Sequence, residues 1–374
     1  VKILKFSFTR KILVKPDSKQ AELLVNTGKA YAEAYNYVSG VVFETRNLNR
    51  TTLHKQVYRN IRTHHSLPSQ MACSVIRSVI SGYKTTLTNQ KDWIKSERKS
   101  FSYDLVFNRD YSFSQHQISV NTLKGRIKLP YDGNNLREYL EDKSWKLGEA
   151  KLVYQNKKFY LHISVSKEIP ELENAEISNI TGVDLGVNFL AVSYNSKGKT
   201  KFFDGRKIKH KRAKFKNQRK ALQKKKTASS RRKLKRVGQR ENRWMQDVNH
   251  QVSKALVENS PGKTLFVLED LTGIRNATKK VRLEHRYVFV SWAFYDLRRK
   301  LEYKAALNNQ KVIAVNPKYT SQTCPKCGHI SRNNRNKKLH TFCCKNCGYA
   351  GNDDRVAAMN LHRKGLNYLS SESA

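Results

Sequence analysis

The chain has 374 residues, enough for two or three domains with real cores, and its 73 Lys+Arg against 30 Asp+Glu leave a formal charge of +43. No compact fold needs such a surplus for its own stability, so a polyanionic partner is implied: nucleic acid first, because phosphate contact releases counterions, and an anionic membrane surface second. With 38% hydrophobic and 10% aromatic residues spread along the chain, a disordered polycation is excluded.

The first residues, VKILKFSFTRKILVKP, place Ile3, Leu4, Phe6, Phe8, Ile12 and Val14 mostly at even spacing, which predicts one or two strands closed by a turn at Pro16–Asp17. That alternation is not a signal-peptide core, and no window offers the roughly 18 consecutive apolar residues of a membrane span. Residues from about 19 to 95 carry helical periodicity, with Leu67-Pro68-Ser69 supplying a helix start. Residues 96–178 break into short strand-like runs bounded by Gly, Asn, Asp and Pro, a small barrel or sheet completed by the first strand. From Asn179 the pattern changes to a buried strand through Asp184, a second strand, an NSKG turn and a third strand.

The most basic stretch follows. Of the 43 residues from Lys201 to Arg243, 20 are Lys or Arg and only Asp204 and Glu241 are acidic, predicting a long exposed helix or helical pair. Like charges at this density repel unless an anion lies beside them, so phosphate contact is expected, with Lys209, Lys211, Arg212, Lys216, Arg219, Lys220, Arg231 and Arg232 as candidates. Residues 244–260 continue as helix, PGKTLFVLEDL gives a buried strand ending at Glu269, Val288 to Asn308 reads as an amphipathic helix, and KVIAVNP as a further strand.

Two motifs carry chemistry. Cys324-x2-Cys327, 16 residues, then Cys344-x2-Cys347 is the spacing of a four-thiolate zinc ribbon, each knuckle closed by a glycine (Gly328, Gly348). Four protein ligands leave no open position, so one Zn²⁺ here is structural; Cys343 is the spare thiol, since only Cys344 preserves the knuckle. The second motif is dispersed. Asp184 and Glu269 end buried apolar runs, where a carboxylate is costly unless paired, hydrogen-bonded or bound to metal, and Asp354 opens the helix after the second knuckle. Each has a plainer alternative: Asp184 a turn residue before Gly186, Asp270 the functional acid beside Glu269, and Asp353 or Asp354 a helix cap. Together they fit a cluster holding two Mg²⁺ for phosphodiester hydrolysis.

The runs GVDLGVNFLAVS, FVLEDL, VNPKYTSQTCPKCG and FCCKNCGYAGNDDRVAAMNL, in this order and spacing, resemble TnpB, the RNA-guided nuclease encoded by insertion sequences and related to the type V CRISPR effectors. LPSQMACSVIRSV and WMQDVNHQVSKALV resemble further motifs of that family. The resemblance implies an α+β multidomain chain: a wedge β-barrel (1–16 and 96–178) with a helical recognition insertion (17–95), and a RuvC domain of ribonuclease-H-like α/β fold (179–318 and 350–374) with an inserted zinc ribbon (319–349). It implies Asp184, Glu269 and Asp354 as catalytic Mg²⁺ ligands, a guide RNA derived from the element end, a double-stranded DNA target beside a short motif, no membrane, and a prokaryotic cytoplasmic, nucleoid-associated protein. Base pairing then reads the target and the protein holds the heteroduplex by its backbone, which accounts for the charge. A miniature type V CRISPR nuclease or a nuclease-inactive RNA-guided repressor has the same lobes. The family's usual Asp-x-Asn-Ala-Ala-x-Asn becomes Asp354-Arg355-Val356-Ala357-Ala358-Met359-Asn360, with Val356 replacing an amide that could support the metal shell. Asp247 and His250 match a family motif, and Tyr319 to Gln322 precede the ribbon, suited to positioning a strand or to forming a turn. No pattern in the chain fixes an oligomeric state.

Overall fold

A computed structural model describes residues 2–90, 92–114, 117–133, 136–186, 188–271 and 294–372. Val187 and the expected start of the amphipathic helix at Val288 lie outside the described residues. Two compact units form, one from Lys5–Glu168 and one from the described residues of Ile169–Ala374 with the first strand residues.

The first unit is a seven-stranded sheet with a helical insertion. Its strands are β1 (Ile3–Val14), β2 (Tyr103–Leu105), β3 (Tyr111–Phe113), β4 (Gln117–Thr122), β5 (Gly125–Asp132), β6 (Lys146–Gln155) and β7 (Lys158–Pro170), in the order β2-β6-β7-β1-β5-β4-β3. The single long β1 settles the N-terminal expectation as one strand. Between β1 and β2 run α1 (Ser18–Thr45), α2 (Arg50–His64) and α3 (Ser69–Gln90), and a short α4 (Arg137–Glu141) precedes β6. Helix α1 starts where the turn was expected. The Asp17 carboxylate accepts from the Gln20 amide (2.8 Å) while the Gln20 side chain accepts from the Asp17 amide (3.1 Å), satisfying two donors that a helix start leaves free. Tyr31, Tyr83, Tyr103 and Tyr111 are buried in the core, and the Tyr31 hydroxyl and Lys151 both reach Asp104 (3.0 and 3.2 Å).

The second unit is built on a five-stranded mixed sheet, β8 (Asn179–Asp184), β9 (Phe189–Asn195), β10 (Thr200–Asp204), β11 (Thr264–Glu269) and β12 (Lys311–Val315), ordered β10-β9-β8-β11-β12. The first three strands pair antiparallel, and β8, β11 and β12 run parallel. The NSKG turn joins β9 to β10, with Gly198 at φ +75° donating to the Asn195 carbonyl (2.9 Å). The basic stretch is a helical pair, α5 (Arg206–Lys225) and α6 (Ala228–Glu258), and α7 (Phe294–Leu307) leads into β12. After β12 come the small ribbon strands β13 (Arg335–Asn336), β14 (Thr341–Cys343) and β15 (Ala350–Asn352), then α8 (Asp353–Glu372).

Period-two alternation sorts the two faces of this sheet. On β11, Phe266 and Leu268 pack with Val183 of β8 against Val252 and Leu256 of α6 and Leu297 and Leu301 of α7. Leu265 and Val267 face the other way and pack with Ile180 against Leu361 of α8. By the same alternation Gly182 and Asp184 of β8, and Glu269 of β11, belong to the α8 face. That face admits the helix closely. A Cβ on Gly182 would sit 2.1 Å from the Ala358 carbonyl oxygen and 2.4 Å from the His362 amide nitrogen, and one on Gly365 would meet Val267 and Ile180 side chains at 2.7 and 2.8 Å. Two glycines thus let α8 lie against β8 and β11 with almost nothing between them.

Candidate active site

Because β8 and β11 are parallel and in register up to Leu268 opposite Val183, their last residues, Asp184 and Glu269, come side by side at the carboxyl end of the sheet. The close approach of α8 brings Asp354, in its first turn, to the same place. The three acids line one cleft of about 320 Å³, with Asn188, Leu271, Phe294, Ser321, Arg335 and His340 among the other walls.

The electrostatics are those of a buried anionic cluster that nearby positive groups offset only in part. Burial, then the charges of Glu269 and Asp354, push the Asp184 carboxyl well above its usual range, with Arg335 opposing. Glu269 is raised by burial, against the Thr320 hydrogen bond and the positive charges of Lys364 and Arg335. Asp354 is raised by burial and by Asp353, with Arg335 and His340 opposing. Glu269 is oriented by the Thr320 hydroxyl, which donates to its Oε1 and also to the Pro317 carbonyl (3.0 Å). Thr320 thus orients Glu269, and its amide donates to the Pro317 carbonyl (3.4 Å) in the turn before the ribbon.

The neighbouring acids have different partners, and the Asp353 carboxylate accepts from the Asp354 amide (3.0 Å). Asn352 caps α8, its Oδ1 accepting from the Asp354 and Arg355 amides (3.1 and 3.0 Å). Asp353 is fully buried and accepts from Arg335 Nε (2.7 Å), whose Nη1 also donates to Ser321 (3.0 Å). Asp354 is left to face the cleft. Asp270 turns to Arg298 (3.4 Å). Asp247 and His250 lie on α6 away from the cleft lining: Asp247 accepts from Gln251 (3.0 Å), and the His250 carbonyl accepts from Lys304 (2.6 Å). Val356, expected to matter to the metal shell, points elsewhere. Two residues beyond Asp354 on a helix lie on a different side, and Val356 is buried among Cys324, Phe342 and Cys344.

The ribbon cysteines form a compact set. Cys324 and Cys347 sulfurs are 3.6 Å apart, as are those of Cys327 and Cys344, close to the edge of about 3.8 Å expected for a tetrahedron of thiolates 2.3 Å from a zinc ion. Both knuckles are built alike. Gly328 and Gly348, at φ +77° and +70°, donate back to the carbonyls of Cys324 and Cys344 (3.0 Å each), and those cysteines' amides donate to His329 and Tyr349 (2.9 and 2.8 Å). The donor set and spacing fit zinc, and Cys343 is exposed on β14 outside the set.

The basic candidates divide. Positions 212, 215, 219 and 222 form one helical stripe, which in α5 is the seam against α6: Phe215 and Leu222 pack on Val237, Arg212 is buried, and Arg219 pairs with Glu241. Arg212 and Arg219 therefore serve the hairpin's own packing, a distinction that a count of charges cannot make. Lys211 lies over the Trp244 ring (4.5 Å) and Lys209 donates to Asn188 (3.3 Å). Lys220, Arg231 and Arg232 are exposed. Arg335, His340, Asn188 and Lys364 had no sequence signal: each is a single polar residue in a basic or loop segment, brought to the acids only by the fold.

A sheet of this order with acids at its carboxyl edge and a cysteine ribbon inserted before the last helix defines a mixed α+β architecture. Residues 162–278 match the family model described as "Probable transposase", and residues 294–361 match "Cas12f1-like, TNB domain". The CRISPR-associated endodeoxyribonuclease Cas12f1 of Sulfoacidibacillus thermotolerans is 27% identical over 257 residues, 64% of this chain and 59% of that protein. The TnpB-like protein MJ0751 of Methanocaldococcus jannaschii is 34% identical over 170 residues, 44% of this chain and 60% of that protein. A solved Cas12f1-sgRNA-target DNA complex superposes with a TM-score of 0.64 at 15% identity, covering 92% of this chain and 83% of that one. The chain is similar to TnpB-like and Cas12f proteins, the resemblance its motifs carry, and spans about 60% of the length of these two sequence relatives. Among the described residues no helix is long and apolar enough to cross a membrane.

Proposed function

We propose that this chain is an RNA-guided DNA endonuclease of a transposable element, cutting target DNA next to a short motif in a single RuvC-type site. The observation that carries the proposal is the convergence of Asp184, Glu269 and Asp354 on the α8 face, all three carboxyl groups pushed up by burial and that of Asp184 further by the charges of the other two. Such a cluster is expensive for a fold of charge +43 to keep unless cations complete it. Its all-carboxylate donor set suits Mg²⁺, whose two ions, when bound, supply charge neutralisation at the leaving oxygen and a more acidic attacking water.

The chain's own residues do the rest. Thr320 fixes one Glu269 oxygen and leaves the other toward the cleft, Asn352 starts α8 so that Asp354 faces inward, and Arg335 buttresses Asp353 behind it. Residues 1–16 and 96–178 serve as the wedge, 17–95 as the recognition lobe, 179–318 and 350–374 as the nuclease domain and 319–349 as the zinc ribbon. A guide RNA from the element end and double-stranded target DNA are the partners, and the exposed cations of the α5–α6 hairpin contact phosphates. All three acids being present favours a nuclease over an inactive repressor.

The test is to purify the chain from cells carrying its native flanking DNA, sequence the RNA that accompanies it, and assay DNA cleavage with Mg²⁺. One dominant RNA with a constant scaffold and a variable end, and cleavage lost in Asp184→Ala with RNA retained, is the expected result. Heterogeneous cellular RNA overturns guided recognition, and loss of RNA together with cleavage overturns the assignment of Asp184. A repeat array beside the gene would favour a miniature type V CRISPR nuclease.

A further inference from the structure

The ribbon does more than bind zinc: its inter-knuckle loop forms part of the acid cleft. His340, at the tip between β13 and β14, has a left-handed backbone (φ +53°). In that conformation its carbonyl accepts from the Asp353 amide and the Asn352 side chain (3.3 Å each), the two residues that start α8 just before Asp354. Its imidazole reaches across to the nuclease sheet. Nε2 lies 2.6 Å from the side-chain nitrogen of Asn188, in the loop between β8 and β9, and Nδ1 lies 3.5 Å from the Asp353 carboxylate. With the Asn188 amide donating to Nε2, the imidazole carries its hydrogen on Nδ1, facing Asp353. Asn188 is itself fixed, its Oδ1 accepting from Lys209 of α5 (3.3 Å) and its carbonyl from the Gly205 amide (2.8 Å).

We infer that His340 and Asn188 form a clamp that positions Asp354 against Asp184, fastening the ribbon loop and the start of α8 to the loop that follows the Asp184 strand. His340 is thus a positioning residue, acting through Asn352 and Asp353 on the acid beside them. From the ribbon side the start of α8 is also held by the His340 carbonyl, the Arg335 ion pairs, the β14–β15 pairing that ends at Asn352 and the burial of Val356, so what the clamp adds is the tie from the ribbon loop to the β8–β9 loop. Groups that orient metal ligands without touching the metal commonly change affinity or rate 10- to 100-fold when removed.

This inference rests on the proposed nuclease function only for its activity readout, so the experiment has two arms. The full chain with its co-purified RNA is prepared as wild type, His340→Ala, His340→Gln, Asn188→Ala and the double alanine variant. In the first arm Mn²⁺ binding is titrated by electron paramagnetic resonance, with zinc content and thermal unfolding measured on the same samples. His340→Ala and Asn188→Ala are each expected to weaken Mn²⁺ binding by roughly 10-fold or more with zinc retained at one ion per chain, the double variant to be no worse than either single one, and His340→Gln, whose amide oxygen still accepts from Asn188, to recover most of the loss. In the second arm the single-turnover cleavage rate falls in parallel while target DNA affinity stays within about two-fold. Unchanged Mn²⁺ affinity in His340→Ala, effects of the two single variants that add in the double, or no recovery in His340→Gln overturns the clamp. Zinc loss in both His340 variants also overturns it, since the residue would then serve the ribbon alone. If wild type binds Mn²⁺ as expected but cuts nothing, the proposed function fails and the first arm still decides the clamp.

Discussion

The ribbon cysteines and the cleft acids, the two clusters of this unit proposed to hold metal, are assembled in opposite ways. The ribbon is local: four thiols within 24 residues, two glycine-closed turns of the same design, and sulfur spacings already near those of a zinc tetrahedron. The cleft is global: Asp184, Glu269 and Asp354 come from two strands and a helix spread over 171 residues, and each is pushed toward its protonated form by the others or by burial. A closed site of this kind makes a fold, whereas an open one draws on a fold already made.

That contrast can be broken from either side. Cys344→Ser should have the largest effect, because structural zinc contributes on the order of 10 kcal/mol to small domains of this type; zinc content by mass spectrometry should fall from one ion to none, and the ribbon should become protease-sensitive. Asp184→Asn comes next. Cleavage should drop by roughly a thousandfold, about 4 kcal/mol of transition-state stabilisation, with zinc retained. Gly182→Ala should disturb the cleft without touching an acid, since its methyl meets the Ala358 carbonyl and the His362 amide; a loss of about 3 kcal/mol in denaturant unfolding is expected, with α8 displaced.

A smaller effect sharpens the comparison. The cleft acids have raised pKa values, so between the usual carboxylate range and those raised values the native state holds more protons than the unfolded one. Without divalent cations, stability therefore falls as pH rises through that window. Thermal unfolding in Mg²⁺-free buffer without chelator, with the ribbon zinc retained, should show this decline, Mg²⁺ should flatten it, and Asp184→Asn should be more stable than wild type at neutral pH. The smallest effect belongs to Cys343→Ser, which should leave zinc content and unfolding temperature unchanged, because that thiol is exposed and outside the ribbon set.

Legibility in the sequence followed the same division. The knuckle spacing was readable locally; Asp184 and Glu269 stood out as carboxylates ending buried runs, and the set of three with Asp354 came from the resemblance to TnpB. The register of the resemblance chose Asp354 over Asp353 and Glu269 over Asp270; the structure adds that Arg335 reaches Asp353 and Arg298 reaches Asp270, partners far away in sequence. Sequence periodicity placed the helices and strands of both units, including β8, β11 and the α5–α6 pair. It did not separate Arg212 and Arg219 from the solvent-facing cations beside them, since in a segment where nearly half the residues are basic the apolar stripe of Phe215 and Leu222 is drowned. Arg335 and His340 were invisible for the converse reason: their neighbours in space are far in sequence.

Helix α8 begins as a shared wall. Asp354 is on its cleft side, Val356 is buried among the ribbon cysteines, and Asn360 holds the carbonyls of Thr320 and Thr323 (2.7 and 2.8 Å) at the ribbon's base. For anyone grafting ribbons between such proteins, the interchangeable cassette is therefore not the cysteine loop but Thr320 to Asn360 as one piece, cut where both seams are already closed.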